Sequence, residues 1–133
     1  MRSLGALTLV MVAYWSAWFS DRSLVASDHG AVYFGFENAF PLADGLLSVA
    51  LIATIVALKQ RRPSALLFGL MGAGAGLYLF AMDVLYDLEH GIWTRGANGV
   101  VELAINVITV TASLVLARWL WTHREQLSNV DAS

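Results

Sequence analysis

Ser64 to Tyr86 reads SALLFGLMGAGAGLYLFAMDVLY, an apolar run in which Asp83 carries the only charge. An α-helix needs roughly 20 such residues to cross about 30 Å of hydrocarbon, so this stretch predicts a transmembrane helix. Three further runs of the same character lie at about 4–20, 41–58 and 100–121. The chain has 133 residues, of which 58% are hydrophobic and 14% charged, with a mean hydropathy of +0.64. That is too apolar for an ordinary soluble domain and leaves little chain outside the four runs. The expected fold is all-α, with residues 1–133 forming one transmembrane domain.

Connections and charge set the expected topology. Lys59, Arg61, Arg62 and Pro63 make a tight link between the second and third runs, while the other two links, 21–40 and 87–99, are longer. Consecutive spans joined this way are antiparallel, which gives an up-down-up-down bundle of four transmembrane helices. Pro41 and Pro63 suit helix starts, where a missing N–H costs nothing. Arg2, Lys59, Arg61, Arg62, Arg118 and Arg124 fall at one end, against Arg22 and Arg95 at the other. The positive-inside rule then puts both termini in the cytoplasm, and a bacterial cytoplasmic membrane is the expected location.

The first run follows Arg2 and precedes Val25-Ala26-Ser27, a loose match to a signal-peptide cleavage site. Tyr14, Trp15, Trp18 and Phe19 are bulky where a signal peptide favours small residues. They read instead as an aromatic belt at a membrane interface, as do Trp119 and Trp121 at the inner side. The outer link 21–40 carries Tyr33, Phe34, Phe36 and Phe40, and is expected to lie on the membrane or fold over the bundle mouth without assigned secondary structure. Asp44-x3-Ser48 and Glu102-x3-Asn106 occupy similar places in their runs, which raises a duplicated hairpin.

Eight acidic residues gather at the outer end: Asp21, Asp28, Glu37, Asp44, Asp83, Asp87, Glu89 and Glu102. Helical spacing sorts them. In the third run Ala65, Gly69, Gly72, Gly76, Asp83, Asp87 and His90 recur every three, four or seven residues and share one stripe. Its small residues allow close backbone approach, either within the bundle or between copies of the chain. In the fourth run Asn98, Glu102, Asn106, Thr109 and Ser113 share a face, and Thr111 lies off it. Glu37, Asp44 and Ser48 superimpose in the second. At 1.5 Å rise per residue, Asp44, Asp83 and Glu102 fall near a common depth. Asp44, Asp83, Asp87, Glu102, Asn106 and His90 are therefore the candidate cation-binding residues, and Asp21, Asp28, Glu37 and Glu89 form a solvated rim.

Plainer readings compete. Asp44 and Glu102 fall in predicted first turns, where a helix dipole favours acids without any function. Asp83 and Asp87 sit near a helix C-terminus and would instead need Arg22 or Arg95 as salt-bridge partners, or exposure at the interface. His29, like His90, is a plausible ligand or proton carrier at the mouth, against the plainer reading of a solvated loop histidine; His123 reads as a surface histidine, and Gly69–Gly76 lacks the lysine of a phosphate loop.

Three functions fit the constellation. A cation site comes first: carboxylates with Asn98, Asn106 and hydroxyls suit Ca²⁺, Mg²⁺ or Mn²⁺, and His90 would tilt the set toward softer metals. Carboxylates so close cannot all stay ionised, so an organic cation or proton exchange fits equally, with Asp83 and Glu102 first to take a proton. No cysteine is present, so no thiolate metal site is expected, nor a haem. Polarity ends at mid-membrane, which describes a blind site; transport would then need conformational change or a homo-oligomer. The second function is an enzyme using the acids for general acid–base chemistry on a lipid or sterol-like ligand. In outline, acids within a membrane cavity resemble the sterol-isomerase and sigma-2-receptor superfamily; the resemblance is architectural and implies no catalytic residues. The third is an assembly subunit docking a basic partner. The expected partners are the bilayer and a cation or small lipophilic ligand, not nucleic acid.

Overall fold

The computed structural model describes residues 2–26 and 29–128, and every regular element among them is helical. The helices are α1 (Arg2–Ser20), α2 (Ala31–Glu37), α3 (Phe40–Lys59), α4 (Ser64–His90), α5 (Gly96–Thr122) and α6 (Arg124–Ser128). Single 3₁₀ turns, Arg22–Leu24 and Ile92–Thr94, lie in the links 21–40 and 87–99. Among the described residues three stretches are long and apolar enough to cross a membrane: Ala31–Lys59, Ser64–His90 and Gly96–Thr122. The first of these joins α2 to α3 across a short break at Asn38 and Ala39. α1 is helical too, and it is not one of the three found among the described residues.

α4 is the central helix, packed against α3 on one side and α5 on the other, while α1 leans on α3. The small-residue stripe explains this. A β-carbon on Gly69 would collide with the side chain of Leu120 and one on Gly76 with the Ser113 hydroxyl, both on α5. On Gly72 it would come within 3.3 Å of Leu51 on α3. Between apolar helices in lipid such close packing, rather than transfer from water, holds neighbours together. The stripe is thus used inside the chain. Leu47, Leu51, Ala73, Leu79, Leu116 and Leu120 fill the centre, and the outward faces carry exposed Leu42, Leu67, Tyr78 and Val115.

The ends of the helices follow local chemistry. Pro41 occupies the first turn of α3. Gly91 adopts φ 63° and its N–H bonds to Asp87 O, ending α4 in a left-handed cap that glycine accommodates freely. α3 ends in the same kind of motif: Arg62 N–H donates to Ala57 O at 2.8 Å and Arg61 N–H to Leu58 O at 3.2 Å. The left-handed residue here is Arg61, at φ 54°. A side chain in that conformation costs roughly 1–2 kcal/mol, which glycine would avoid. At the opposite end Asp21 caps the first 3₁₀ turn, its Oδ1 accepting from the Ser23 N–H at 3.0 Å and hydroxyl at 2.6 Å. These two bonds hold its exposed carboxyl below the usual range.

Two expectations are corrected. The link 21–40 is not without secondary structure, because α2 forms within it and buries Tyr33 and Glu37. Trp18 is no interface residue: it is fully buried, with Tyr33, Tyr86, Ile92 and Ala26 around it. The aromatic link folds inward because its rings find one another. Trp18 meets Tyr33 at 6.2 Å between centroids, and Phe36 stacks on Tyr86 at 4.1 Å. The helices also run further than hydropathy marks, α4 to His90 and α5 back to Gly96.

A candidate acidic cavity between the helices

At the acidic end the helices do not close completely. A cavity of about 150 Å³ lies between α1, α3, α4 and α5, with α2 at its rim. Each helix delivers polar groups through its own register. α3 brings Asp44, α4 brings Asp83, α5 brings Glu102, Asn106 and Thr109, and α1 brings Tyr14 and Trp15. Glu37 joins them from the end of α2. Four carboxyl groups therefore line one space, and among the described residues no Lys, Arg or His lines it. The rest of the wall is apolar, including Met11, Phe40, Leu47, Leu79 and Phe80.

Neutral donors meet some of these acids. Trp15 Nε1 donates to Asp44 Oδ2 at 2.7 Å. Tyr33 reaches Glu102 Oε1 with its hydroxyl at 3.4 Å, a long contact. Asn106, only 2% exposed, donates through Nδ2 to Asp87 Oδ2 at 2.8 Å. Trp93 Nε1 supplies Asp87 Oδ2 with a second donor at 2.8 Å. Asp87 is buried behind Asn106 rather than on the cavity wall, so it orients the amide instead of facing a ligand. Glu37 differs from the rest. It is 7% exposed, and among the described residues no hydrogen bond or ion pair reaches its carboxyl.

The structure thus brings together Asp44, Asp83, Glu102 and Asn106, sets Asp87 one step behind them, and places His90 elsewhere. The imidazole of His90 stacks on Tyr86 at 4.0 Å, and its Nδ1 lies 2.9 Å from Tyr86 O. A carbonyl only accepts, so Nδ1 carries the proton in that bond. Arg95 donates to the His90 carbonyl at 2.7 Å. Asn98 donates to Ala26 O at 2.9 Å and anchors the link between α1 and α3. Ser48 turns toward Met11 of α1. Among the described residues no three His, Asp or Glu side chains are arranged to hold a metal ion directly.

Glu37 is the cavity residue the sequence reading misplaced, as part of a solvated rim. Its spacing of seven from Asp44 was the available signal. The register survives the break between α2 and α3, so Glu37 and Asp44 stay on one side. Asp21 and Glu89 are exposed, as a rim would be; Asp28 lies outside the described residues. The competing explanations lose ground. Neither α3 nor α5 has an acid in its first turn, so the dipole accounts poorly for Asp44 and Glu102. Arg22 lies over the rings of Trp18 and Phe34 at 5.5 and 5.6 Å, and among the described residues no ion pair joins Asp83 or Asp87 to Arg22 or Arg95.

Compared with known protein families, curated proteins and solved structures, the chain matches none of them.

Proposed function

We propose that this is a small integral membrane protein that binds a cation, as a metal ion, an organic ammonium or a proton, in an acidic cavity opening toward the outer face, with transport as the purpose. The observation that carries the reading is the composition of the wall: Glu37, Asp44, Asp83 and Glu102 around one space with no basic side chain among the described residues. An ionised carboxylate inside a membrane bundle needs a counter-charge or a proton. Trp15, Tyr33 and Asn106 offer hydrogen bonds but no charge.

The bundle belongs to the same proposal. α1 has 19 residues, about 28 Å at 1.5 Å per residue, which suffices for a fourth span. Its inner face lines the cavity, so a chain with only three spans would leave Tyr14 and Trp15 without a role. The basic Lys59–Arg62 turn argues for cytoplasmic termini. Ca²⁺, Mg²⁺ and Mn²⁺ are the metals suited to carboxylate and amide oxygens, with water completing a shell that the carboxylates do not close themselves.

The test is thermal stability of the purified protein against Ca²⁺, Mg²⁺, Mn²⁺ and tetramethylammonium, each at millimolar concentration, and across pH. A cation that binds only the folded chain raises the melting temperature by mass action. Asp83→Asn and Glu102→Gln should remove that rise while leaving the chain folded. A melting temperature indifferent to every cation and to pH between 4 and 9, roughly the window in which carboxyls in proteins titrate, would reject the proposal.

A further inference from the structure

At the other end of the molecule a second concavity, of about 330 Å³, runs along the outside of the α3–α4 pair. Its composition is ordered. Gln60, Arg62 and Ser64 lie at the turn, and Val49, Ile52, Val56 and Phe68 continue from them along the helices. From Gln60 back to Val49 the groove follows α3 for about 16 Å. A polar head at one end and an apolar trough beyond it match one class of molecule in a bilayer, a lipid lying along the helix with its headgroup at the interface.

The charge at the head of the groove selects which lipid. Lys59, Arg61 and Arg62 are all exposed, and among the described residues none of them is in an ion pair. Glu125, the acid described at this end, is turned to Arg124 at 3.6 Å. The positive end of the α4 dipole also lies beside Ser64, although the Ala65 and Leu66 N–H groups already donate to Arg62 O and Pro63 O. Arginine also presents a planar fork of donors suited to a phosphate.

The backbone supplies an independent observation. Arg61 occupies the left-handed position of the α3 terminus at φ 54°, where glycine is the unstrained residue. Strain retained at a turn is explained when the side chain that causes it has a use. Arg61 places a third cation next to the groove.

We propose that the α3–α4 groove binds an anionic phospholipid, its phosphate held by Arg62 with Gln60 and Ser64, within the field of Lys59 and Arg61, and one acyl chain lying along Val49, Ile52, Val56 and Phe68. This is a site separate from the acidic cavity and does not depend on what that cavity holds. A neutral lipid would fill the trough but forgo the charge; free phosphate would meet the arginines but leave the trough empty.

The test uses the full chain in a mild detergent, supplemented in turn with phosphatidylglycerol, phosphatidylcholine and inorganic phosphate. Melting temperature and native mass spectra are the readouts. Phosphatidylglycerol should raise the melting temperature and remain bound as a one-to-one complex, and neither phosphatidylcholine nor phosphate should match it. Arg62→Gln should lose more than half of the rise. Arg61→Gly is the more searching variant: it should melt higher than the parent without lipid, because the strain is gone, yet respond less to phosphatidylglycerol. Equal effects of the two lipids, or of phosphate and phosphatidylglycerol, would overturn the proposal, as would full retention of the effect in Arg62→Gln.

Discussion

Glu37 and Asn106 show how differently two buried polar residues on one wall can weigh on stability. Asn106 satisfies another group: its amide donates to the Asp87 carboxylate at 2.8 Å. Glu37 satisfies nothing and is satisfied by nothing among the described residues. Removing one partner from a buried bond leaves the other uncompensated, at about 1–3 kcal/mol. Asn106→Leu should therefore destabilise the chain by about that much in reversible denaturation in detergent. Glu37→Gln keeps the shape and removes a carboxylate that has no counter-charge, so without added cation it should be as stable as the parent or more so. If the cavity binds a cation, the order reverses on adding it, because the parent gains and Glu37→Gln does not. A loss of stability in Glu37→Gln without ligand would show that this carboxyl has a partner of its own.

At the scale of elements, glycine positions separate crowded surfaces from open ones. Gly99 on α5 faces the 3₁₀ turn, where an added β-carbon would collide with the Ile92 carbonyl oxygen and lie 3.0 Å from the Trp93 carbonyl carbon. Backbone cannot rotate away as a side chain can. Gly74, one helix over, has nothing within 4 Å of such a carbon. Gly99→Ala should thus cost about 1–3 kcal/mol and should weaken the Trp93 bond to Asp87, visible as a change in tryptophan emission. Gly74→Ala should be neutral or stabilising by up to about 1 kcal/mol, since helix propensity rises with no clash. Element by element, the stripes were readable beforehand: Glu102, Asn106, Thr109 and Ser113 do share one side of α5, and Gly69, Gly72 and Gly76 do meet neighbours. Spacing of 3.6 residues is a local property, so sequence carries it directly. The fate of His90 was not readable, because α4 ends just after it and stacking on Tyr86 decides its direction. α2 was hidden for a similar reason: a helix from Ala31 to Glu37 is too short to announce itself and depends on Trp18 and Tyr86 across the bundle.

For the whole molecule, the division of labour between its ends is the organising property. One end gathers carboxylates around a cavity beside a cluster of aromatic rings, and the other gathers Lys59, Arg61 and Arg62 at a tight turn. Helical character and the long apolar stretches were legible because length and composition alone determine them. The number of spans was less so, since α1 has the length of a span but is not one of the three stretches found among the described residues. That ambiguity has a direct resolution, because the chain has no cysteine and any introduced one is unique. Single substitutions Ser23→Cys and Thr94→Cys probe the acidic end, and Gln60→Cys and Gln126→Cys the basic end, all at exposed positions. In sealed, right-side-out vesicles a membrane-impermeant maleimide should label the first pair at once and the second only after permeabilisation. The pair at residues 23 and 94 alone leaves α1 undecided, so Arg2→Cys completes the set. If α1 spans, residue 2 is protected together with residues 60 and 126. Immediate labelling at residue 2, with residues 60 and 126 protected, would place α1 on the outer surface and reduce the bundle to three spans. The cavity would then lose its transmembrane fourth wall and become a surface cleft, where the four carboxylates could stay ionised against water and would need no cation at all.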